Sequence, residues 1–397
     1  MQRFIKILLN VYRNTSMSTF DAIIGQPQIV STLKEAVAAA KNSEDISQEM
    51  THAWLFTGPP GSGRSNAAIA FAAALLCPKN GCDDCIDCTT AQNGSHIDIE
   101  LIKTEGLSLK IHDVRELLSR SSWAPSVSGW RVVVMEDADR LTEAAANALL
   151  KAIEEPGART VWLLCAPTIT DVLPTIRSRC RHLLLRTPSQ EAIVALLTSR
   201  DGIDPKMATF AARIAQGHIG RAKYLATNSE SRSRRLQILS LPLKINDISA
   251  AFRAAATLLE LATQDAESGT EELDDKELKS LQDAYQGTGR GLISGGSKAI
   301  KDLEKEQKSR QTRAVRDSID NSLLDIATLY RDVMLVQSES TDFLINTDLL
   351  GEIQEIAVST TPEIIVKKIE SIMQARTNLS HNAAPLLTLE ALMCSLK

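Results

Sequence analysis

Aromatic residues make up only 4% of this 397-residue sequence, which argues against a surface built to stack nucleic-acid bases. An excess of positive charge is also missing. The 44 Lys and Arg stand against 49 Asp and Glu, for a formal charge of −5, so any contact with nucleic acid must be local rather than a property of the whole surface. The longest clean apolar run, Ala67 to Leu76, is ten residues, far short of a membrane span. No internal repeat is present. What the chain does have is a 44% hydrophobic and 23% charged composition, which can bury real cores and excludes wholesale disorder. At about 150 residues per domain, the length suggests two or three domains.

Seven cysteines are unevenly spread. Cys77, Cys82, Cys85 and Cys88 fall close together, whereas Cys165, Cys180 and Cys394 are scattered. An odd count, clustered in a long chain with no secretory signal, points to metal ligation in a reducing compartment rather than to a disulfide framework. The spacing Cys-x4-Cys-x2-Cys-x2-Cys suits tetrahedral zinc, which prefers sulfur and needs no open position in a structural site. Iron–sulfur ligation is the alternative, since x2 spacing also suits a cluster. Zinc is favoured, because the segment lies between a helix and a strand with no electron-transfer partner. The first residues, MQRFIKILLNVYRNTS, carry Arg3 and Lys6 before a short apolar stretch without a small-residue cleavage site. Residues 1–17 are therefore expected to be an upstream extension, with the domain opening around Met17.

From Phe20 to Arg186, short apolar runs alternate with helical segments. The runs are Trp54–Thr57, Ile97–Ile102, Val132–Met135, Val161–Cys165 and Leu183–Leu185, near-continuous as strands buried on both faces are. Helices are expected at Pro27–Lys41, Ser65–Leu76, Ile111–Ser119 and Thr142–Glu155, the last ending at Pro156-Gly157. This alternation predicts a mostly parallel sheet with helices on both sides. After Pro188 the strands stop. Residues 189–227 read as three short helices, and everything beyond Ser229 is helix-spaced. Residues 264–277 hold seven acids and one base, and Gln286–Ser297 contains five glycines. That composition predicts a mobile insertion over 264–297. Beyond it, Lys298, Lys301, Lys305 and Lys308 share a helical face, continued by Arg310, Arg313 and Arg316; a solvated surface is the ordinary reading of such a stripe.

Three strings carry chemistry. Gly58-Pro59-Pro60-Gly61-Ser62-Gly63-Arg64-Ser65 follows a strand and opens a helix, the context of a phosphate-binding loop. Ser65 stands where a Mg2+-ligating hydroxyl belongs, but Arg64 replaces the usual lysine with a bulkier planar cation. A Gly-rich turn without a ligand is the alternative. The second string is the strand ending in Glu136-Asp137, whose carboxylates match those that hold Mg2+ and orient water in nucleotide hydrolases. The usual order is Asp then Glu, and displacements near 1 Å can cost on the order of 10²-fold in rate. An ordinary acidic strand end competes evenly with that reading. Third, Arg177-Ser178-Arg179-Cys180 is either plain surface charge or, beside a phosphate loop, an arginine reaching a γ-phosphate on a neighbouring subunit.

Taken with Phe20-Asp21-Ala22-Ile23-Ile24-Gly25-Gln26, His52-Ala53-Trp54-Leu55-Phe56, Asn147-Ala148-Leu149-Leu150-Lys151 and Glu154-Glu155-Pro156, these strings resemble the clamp-loader subunits of bacterial DNA polymerase III. The resemblance covers nearly all of residues 18–228. It implies an α/β AAA+ module (18–187, a parallel αβα sheet with the zinc-binding insert 77–88), an all-α three-helix lid (188–228) and an all-α helical collar domain (229–397). It further implies a five-subunit ring with delta and gamma/tau partners, a sliding clamp, and primer-template DNA met through the complex. The chain is then a subunit of a nucleotidyltransferase holoenzyme, cytoplasmic, with structural zinc and with ATP and Mg2+ uncertain in this subunit.

Arg64, the inverted pair Glu136-Asp137, and Gly220 at the place of the motor subunit's sensor arginine all depart from the ATP-hydrolysing type. Ser178-Arg179-Cys180 is intact. The profile resembles the delta-prime type, which supplies an arginine finger through Arg179 and hydrolyses ATP poorly; the insertion resembles actinobacterial versions. The alternatives are a tau/gamma-type motor or another AAA+ DNA-processing ATPase. A zinc-dependent DNA-binding module is disfavoured, because Cys82-Asp83-Asp84-Cys85-Ile86-Asp87-Cys88 is acidic and repels phosphates.

Overall fold

The computed structural model describes residues 18–42, 50–102, 108–121, 125–157, 159–285 and 296–397. The expected upstream extension and the glycine-rich 286–295 lie outside them. The chain packs as two units, the first ending at Lys223 and the second running from Tyr224 to Lys397.

In the first unit, helix α1 (Pro27–Asn42) precedes strand β1 (Ala53–Thr57), which runs through the Gly-rich loop into α2 (Arg64–Leu76). A short α3 (Ile86–Gln92) leads to β2 (Ile99–Ile102), followed by α4 (Ile111–Ser121), β3 (Arg131–Met135) and α5 (Glu143–Glu154). Then come β4 (Thr160–Ala166), the single-turn α6 (Pro174–Arg177) and β5 (Arg181–Leu184). The strands form one parallel sheet in the order β2-β3-β4-β1-β5. Leu55 pairs with Leu164 on one side of β1, and Phe56 with Leu183 on the other.

Every residue of the three central strands is buried, which explains their unbroken apolar runs. Alternate side chains enter two cores. Trp54, Phe56, Val132, Val134, Val161 and Leu163 pack with α1 and α2, while Leu55, Val133, Met135, Trp162 and Leu164 pack with α4 and α5. Trp54 meets Phe71 of α2 edge to face at 5.1 Å. The edge strands differ from expectation. Ile97 is exposed, so β2 starts only at Ile99; β5 starts at Arg181, and Leu185 still donates to Thr57 past its end.

The three expected short helices are α7 (Gln190–Ser199), α8 (Pro205–Ala215) and α9 (Ile219–Thr227). Ser189 caps α7, and Asp204 caps α8 ahead of Pro205, whose missing N–H costs nothing at a first helical position. Gln216 ends α8 in the left-handed region. The border between units falls within α9, slightly before the expected collar boundary.

The second unit is helical throughout the described residues: α10 (Ser229–Ser240), α11 (Ile248–Tyr285), α12 (Gly296–Gln337), α13 (Leu350–Ser359), α14 (Pro362–Ser380) and α15 (Pro385–Ser395). Leu258, Leu323, Ile326, Ile372 and Leu389 lie at the centre of its core. A buried polar cluster ties α10 to α12: Arg235 pairs with Asp325 at 3.2 Å and reaches Asn346, while Asp332 accepts from the Ile345 and Asn346 N–H groups.

Within the segment expected to be a mobile insertion, residues 264–285 extend α11 as one continuous helix, antiparallel to α12. Arg310 pairs with Asp274 at 2.8 Å and Glu277 at 3.0 Å, so part of the acidic surplus is neutralised by the next helix. The basic stripe divides accordingly. Arg310 faces those acids and Arg316 donates to the Leu379 carbonyl, leaving Lys301, Lys305 and Lys308 exposed.

Candidate functional site

The carboxyl ends of β1, β3 and β4 bring the phosphate loop and the strand-end acids together, where open parallel sheets place their ligands. Gly58 donates to the Pro167 carbonyl, Ser62 to that of Pro59, and Gly63 caps α2. Arg64 and Ser65 are the first two residues of that helix. Two polar atoms here, Ser62 Oγ and Arg64 Nη1, are buried without a hydrogen-bond partner. Donors left in this way beside a helix N-terminus form an arrangement suited to an anion.

Glu136 and Asp137 follow β3 directly and are half-buried. Two residues that sequence reasoning missed join them. Burial raises the Asp139 carboxyl above its ordinary range and nearby Asp137 adds to this, while Arg140 and Arg64 oppose it. Cys165, wholly buried at the end of β4, has its thiol pushed up by burial and lies within electrostatic reach of Arg64, Glu136, Asp137 and Asp139.

The lid supplies a third residue that sequence reasoning missed. His218 packs directly on Gly61: a Cβ at Gly61 would fall 2.3 Å from His218 Cγ and 2.4 Å from its Cα. Gly61 also has φ +81°, so its lack of a side chain is required twice. His218 Nδ1 accepts from the Arg221 N–H at 3.1 Å. Burial lowers its pKa and the Arg221 and Arg64 charges push the same way against a backbone hydrogen bond, and an accepting Nδ1 leaves the proton of the neutral ring on Nε2.

Arg179 lies apart from this loop, exposed after α6. Its Nε donates to Glu154 Oε1 at 2.6 Å, with Nη2 2.5 Å from the same oxygen in an ion pair, and its Nη1 donates to the Thr175 carbonyl at 2.7 Å. Arg177 is half-buried in α6, and Cys180 is half-buried with its thiol raised to about 12 by burial.

The four clustered cysteines converge. Their Sγ atoms all lie within 4.8 Å of one another, and Cys77 is 3.6 Å from both Cys82 and Cys85. Zinc–sulfur bonds of about 2.3 Å put tetrahedral sulfurs roughly 3.8 Å apart, so this donor set fits zinc. Disulfide bonding needs about 2.05 Å, and all four are free thiols. Gly81, at φ +95°, makes the turn possible and touches Thr19, where a Cβ would meet Oγ1 at 2.5 Å. Burial opposes ionisation of Cys77, but N–H groups of Cys82, Gly81 and Lys79 outweigh it and lower its pKa, whereas burial pushes the Cys88 thiol up and the Asp84 carboxylate raises that of Cys82, so without a metal the cluster favours one thiolate rather than four. Thiolate is the form that binds metal.

Comparison with known proteins bears on both units. The family described as DNA polymerase III, delta subunit, matches residues 26–189, and its C-terminal counterpart matches residues 313–396. The delta-prime subunit of Bacillus subtilis DNA polymerase III is 26% identical over 336 residues, 84% of this chain and 87% of that protein. The chain belongs to the DNA polymerase III delta-prime family. The Haemophilus influenzae delta-prime subunit is 35% identical over 157 residues, 38% of this chain and 48% of that protein. The gamma/tau subunit of Mycobacterium tuberculosis is 30% identical over 201 residues, 49% of this chain but only a third (33%) of that protein's length. Membership agrees with the architecture: a parallel sheet with helices on both faces, then helices alone. Among the described residues, no helix is long and apolar enough to cross a membrane.

Proposed function

We propose that this chain is the delta-prime component of a DNA polymerase III clamp loader, supporting ATP-driven loading of the sliding clamp onto primed DNA. In this reading it occupies one place in a five-subunit ring with delta and gamma/tau partners, and meets clamp and primer-template DNA through that complex. Arg179 completes the nucleotide site of a neighbouring subunit, whereas the chain's own site hydrolyses ATP weakly or not at all.

The supporting observation is an asymmetry. The arginine string is intact and Arg179 exposed, while the chain's own loop pairs Arg64 with an inverted Glu136-Asp137 beneath His218. Ser62, Arg64 and Ser65 remain suited to holding phosphate, so nucleotide binding without turnover is compatible with the loop. Zinc bound by Cys77, Cys82, Cys85 and Cys88 would cross-link the insert and supply no reaction chemistry.

Mixing the purified chain with gamma/tau-type and delta-type subunits and sizing the products tests the assignment. A stoichiometric complex requiring this chain is expected, and failure to co-assemble would overturn it. Likeness to gamma/tau subunits over 201 residues favours a second reading, an ATP-hydrolysing motor. Sustained turnover by the isolated chain would select it.

A further inference from the structure

We propose that Lys41 is the charge partner of the four-cysteine centre, an ammonium brought from the end of α1 to balance a metal-bound tetrathiolate. The inference rests on the zinc reading and adds the residue that tunes the site. Four thiolates around one divalent ion carry a net charge of about −2. Cys77 and Cys88 are fully buried, and Asp83 and Asp84 in the same loop add further negative charge. Buried charge is costly unless paired.

Lys41 answers this need from outside the loop. It lies in the last turn of α1, 36 positions before Cys77, and its Nζ donates to the Cys77 carbonyl. That contact sets the ammonium against the backbone of a buried ligand, at the point where the chain enters the cysteine loop. Lys41 is exposed as a residue, yet its Nζ reaches the carbonyl of a buried ligand. Lys79 also lies close, and it meets Cys77 Sγ through its backbone N–H. The Lys41 link also fastens the cysteine loop to α1, which packs against the sheet core.

The test is a competition titration of zinc between the full chain and a chromophoric chelator. Lys41→Met and Lys41→Gln should both weaken zinc binding by roughly 10- to 100-fold, the usual cost of losing a group that supports metal ligands. Lys41→Arg should stay within about threefold of wild type, and Lys206→Met, which removes an exposed charge in the lid, should change nothing. Cobalt(II) loaded in place of zinc should keep its tetrathiolate spectrum in every variant, since no ligand is altered. Gln keeps a hydrogen-bond donor without the charge. Wild-type affinity in Lys41→Gln would therefore overturn the inference, as would wild-type affinity in Lys41→Met. If Lys41→Met fails to fold, the Gln and Arg pair still decides. A wild-type chain that takes up no stoichiometric metal would end the zinc reading itself, and the inference with it.

Discussion

Glu154 is the last residue of α5, and it is held there by Arg179 through two contacts of 2.6 and 2.5 Å to Oε1. An acid at a helix C-terminus faces the negative end of the helix dipole, so Arg179 offsets an unfavourable charge. The pair is also exposed, with side chains 39% and 47% accessible, and such pairs contribute about 0–1 kcal/mol. A nucleotide triphosphate on a neighbouring subunit could therefore capture this guanidinium at little cost. Arg179→Ala is expected to leave folding and assembly intact while lowering DNA-stimulated ATP turnover and clamp loading by the reconstituted complex. Related fingers contribute roughly 10³- to 10⁵-fold, though a ring with several sites would show a smaller bulk loss. Arg179→Lys should rescue poorly, because an ammonium lacks the planar fork. Glu154→Gln should not fall below wild type. Wild-type loading by the Arg179→Ala complex would reduce the chain to a scaffold.

A second relationship concerns the opposite end of the sheet. Asp98 is wholly buried before β2, where its carboxylate accepts from the N–H groups of Ser126, Val127 and Ser128 and from the Ser128 hydroxyl. Burial alone would raise its pKa, yet these donors hold it down to about 2. A carboxyl depressed in the folded state stabilises above its unfolded value near 4, and that stability disappears as pH falls through about 2. Asp98→Asn should therefore cost on the order of 2 kcal/mol at neutral pH. The gap between wild type and Asp98→Asn should shrink between about pH 4 and pH 2 in urea titrations. A gap independent of pH would show that the carboxylate charge is not what secures 126–128.

Much of this was legible in the sequence, for identifiable reasons. Strand and helix alternation, the lid and the cysteine cluster all announce themselves over short spans. The contacts that did not are long-range: His218 with Gly61, Arg310 with Asp274, Lys41 with Cys77. No local pattern encodes them. The acidic half of α11 illustrates the point, since its composition reads as unable to pack until Arg310 on the neighbouring helix is known. Asp139 and Cys165 were missed because an acid in a turn and a cysteine in a strand each look ordinary alone.

Metal analysis of the purified chain should return one zinc per molecule. Cys85 both donates a thiol and caps α3, accepting from the Cys88 N–H at 3.4 Å, so Cys85→Ser should disturb the segment around Cys77–Gln92. The sheet core does not depend on that ligand set and should melt nearly as in wild type. Iron in place of zinc, or no metal after purification without chelators, would refute the assignment.

The isolated chain should show little or no ATP turnover. Arg64 puts a planar guanidinium where a compact ammonium belongs, and its charge reaches Asp139. Arg64→Lys alone should not restore motor-like rates, because the acid order remains inverted. Turnover typical of a motor, abolished by Ser65→Ala, would mean that the chain is itself the catalytic subunit.

The packing of lid on loop makes the most discriminating structural prediction. A methyl group at Gly61 meets not only the His218 ring but also its main chain, 2.4 Å away, and backbone cannot turn aside as a side chain can. Gly61→Ala must therefore either push α9 away or strain the loop. Gly202 provides the control, because its φ of +66° is similarly left-handed but nothing lies within 4 Å of its missing Cβ. Gly202→Ala should lose about 1–2 kcal/mol from backbone strain alone. Gly61→Ala adds overpacking, typically about another 1–3 kcal/mol, unless the lid opens to relieve it. If the lid opens, amide exchange should quicken across Ile219–Lys223 while α2 and the central strands keep their protection. His218→Ala in the Gly61→Ala background should recover only part of the loss, since the clash with the main chain persists. Equal melting shifts for Gly61→Ala and Gly202→Ala, with unchanged exchange in α9, would show that the lid does not rest on the phosphate loop in solution.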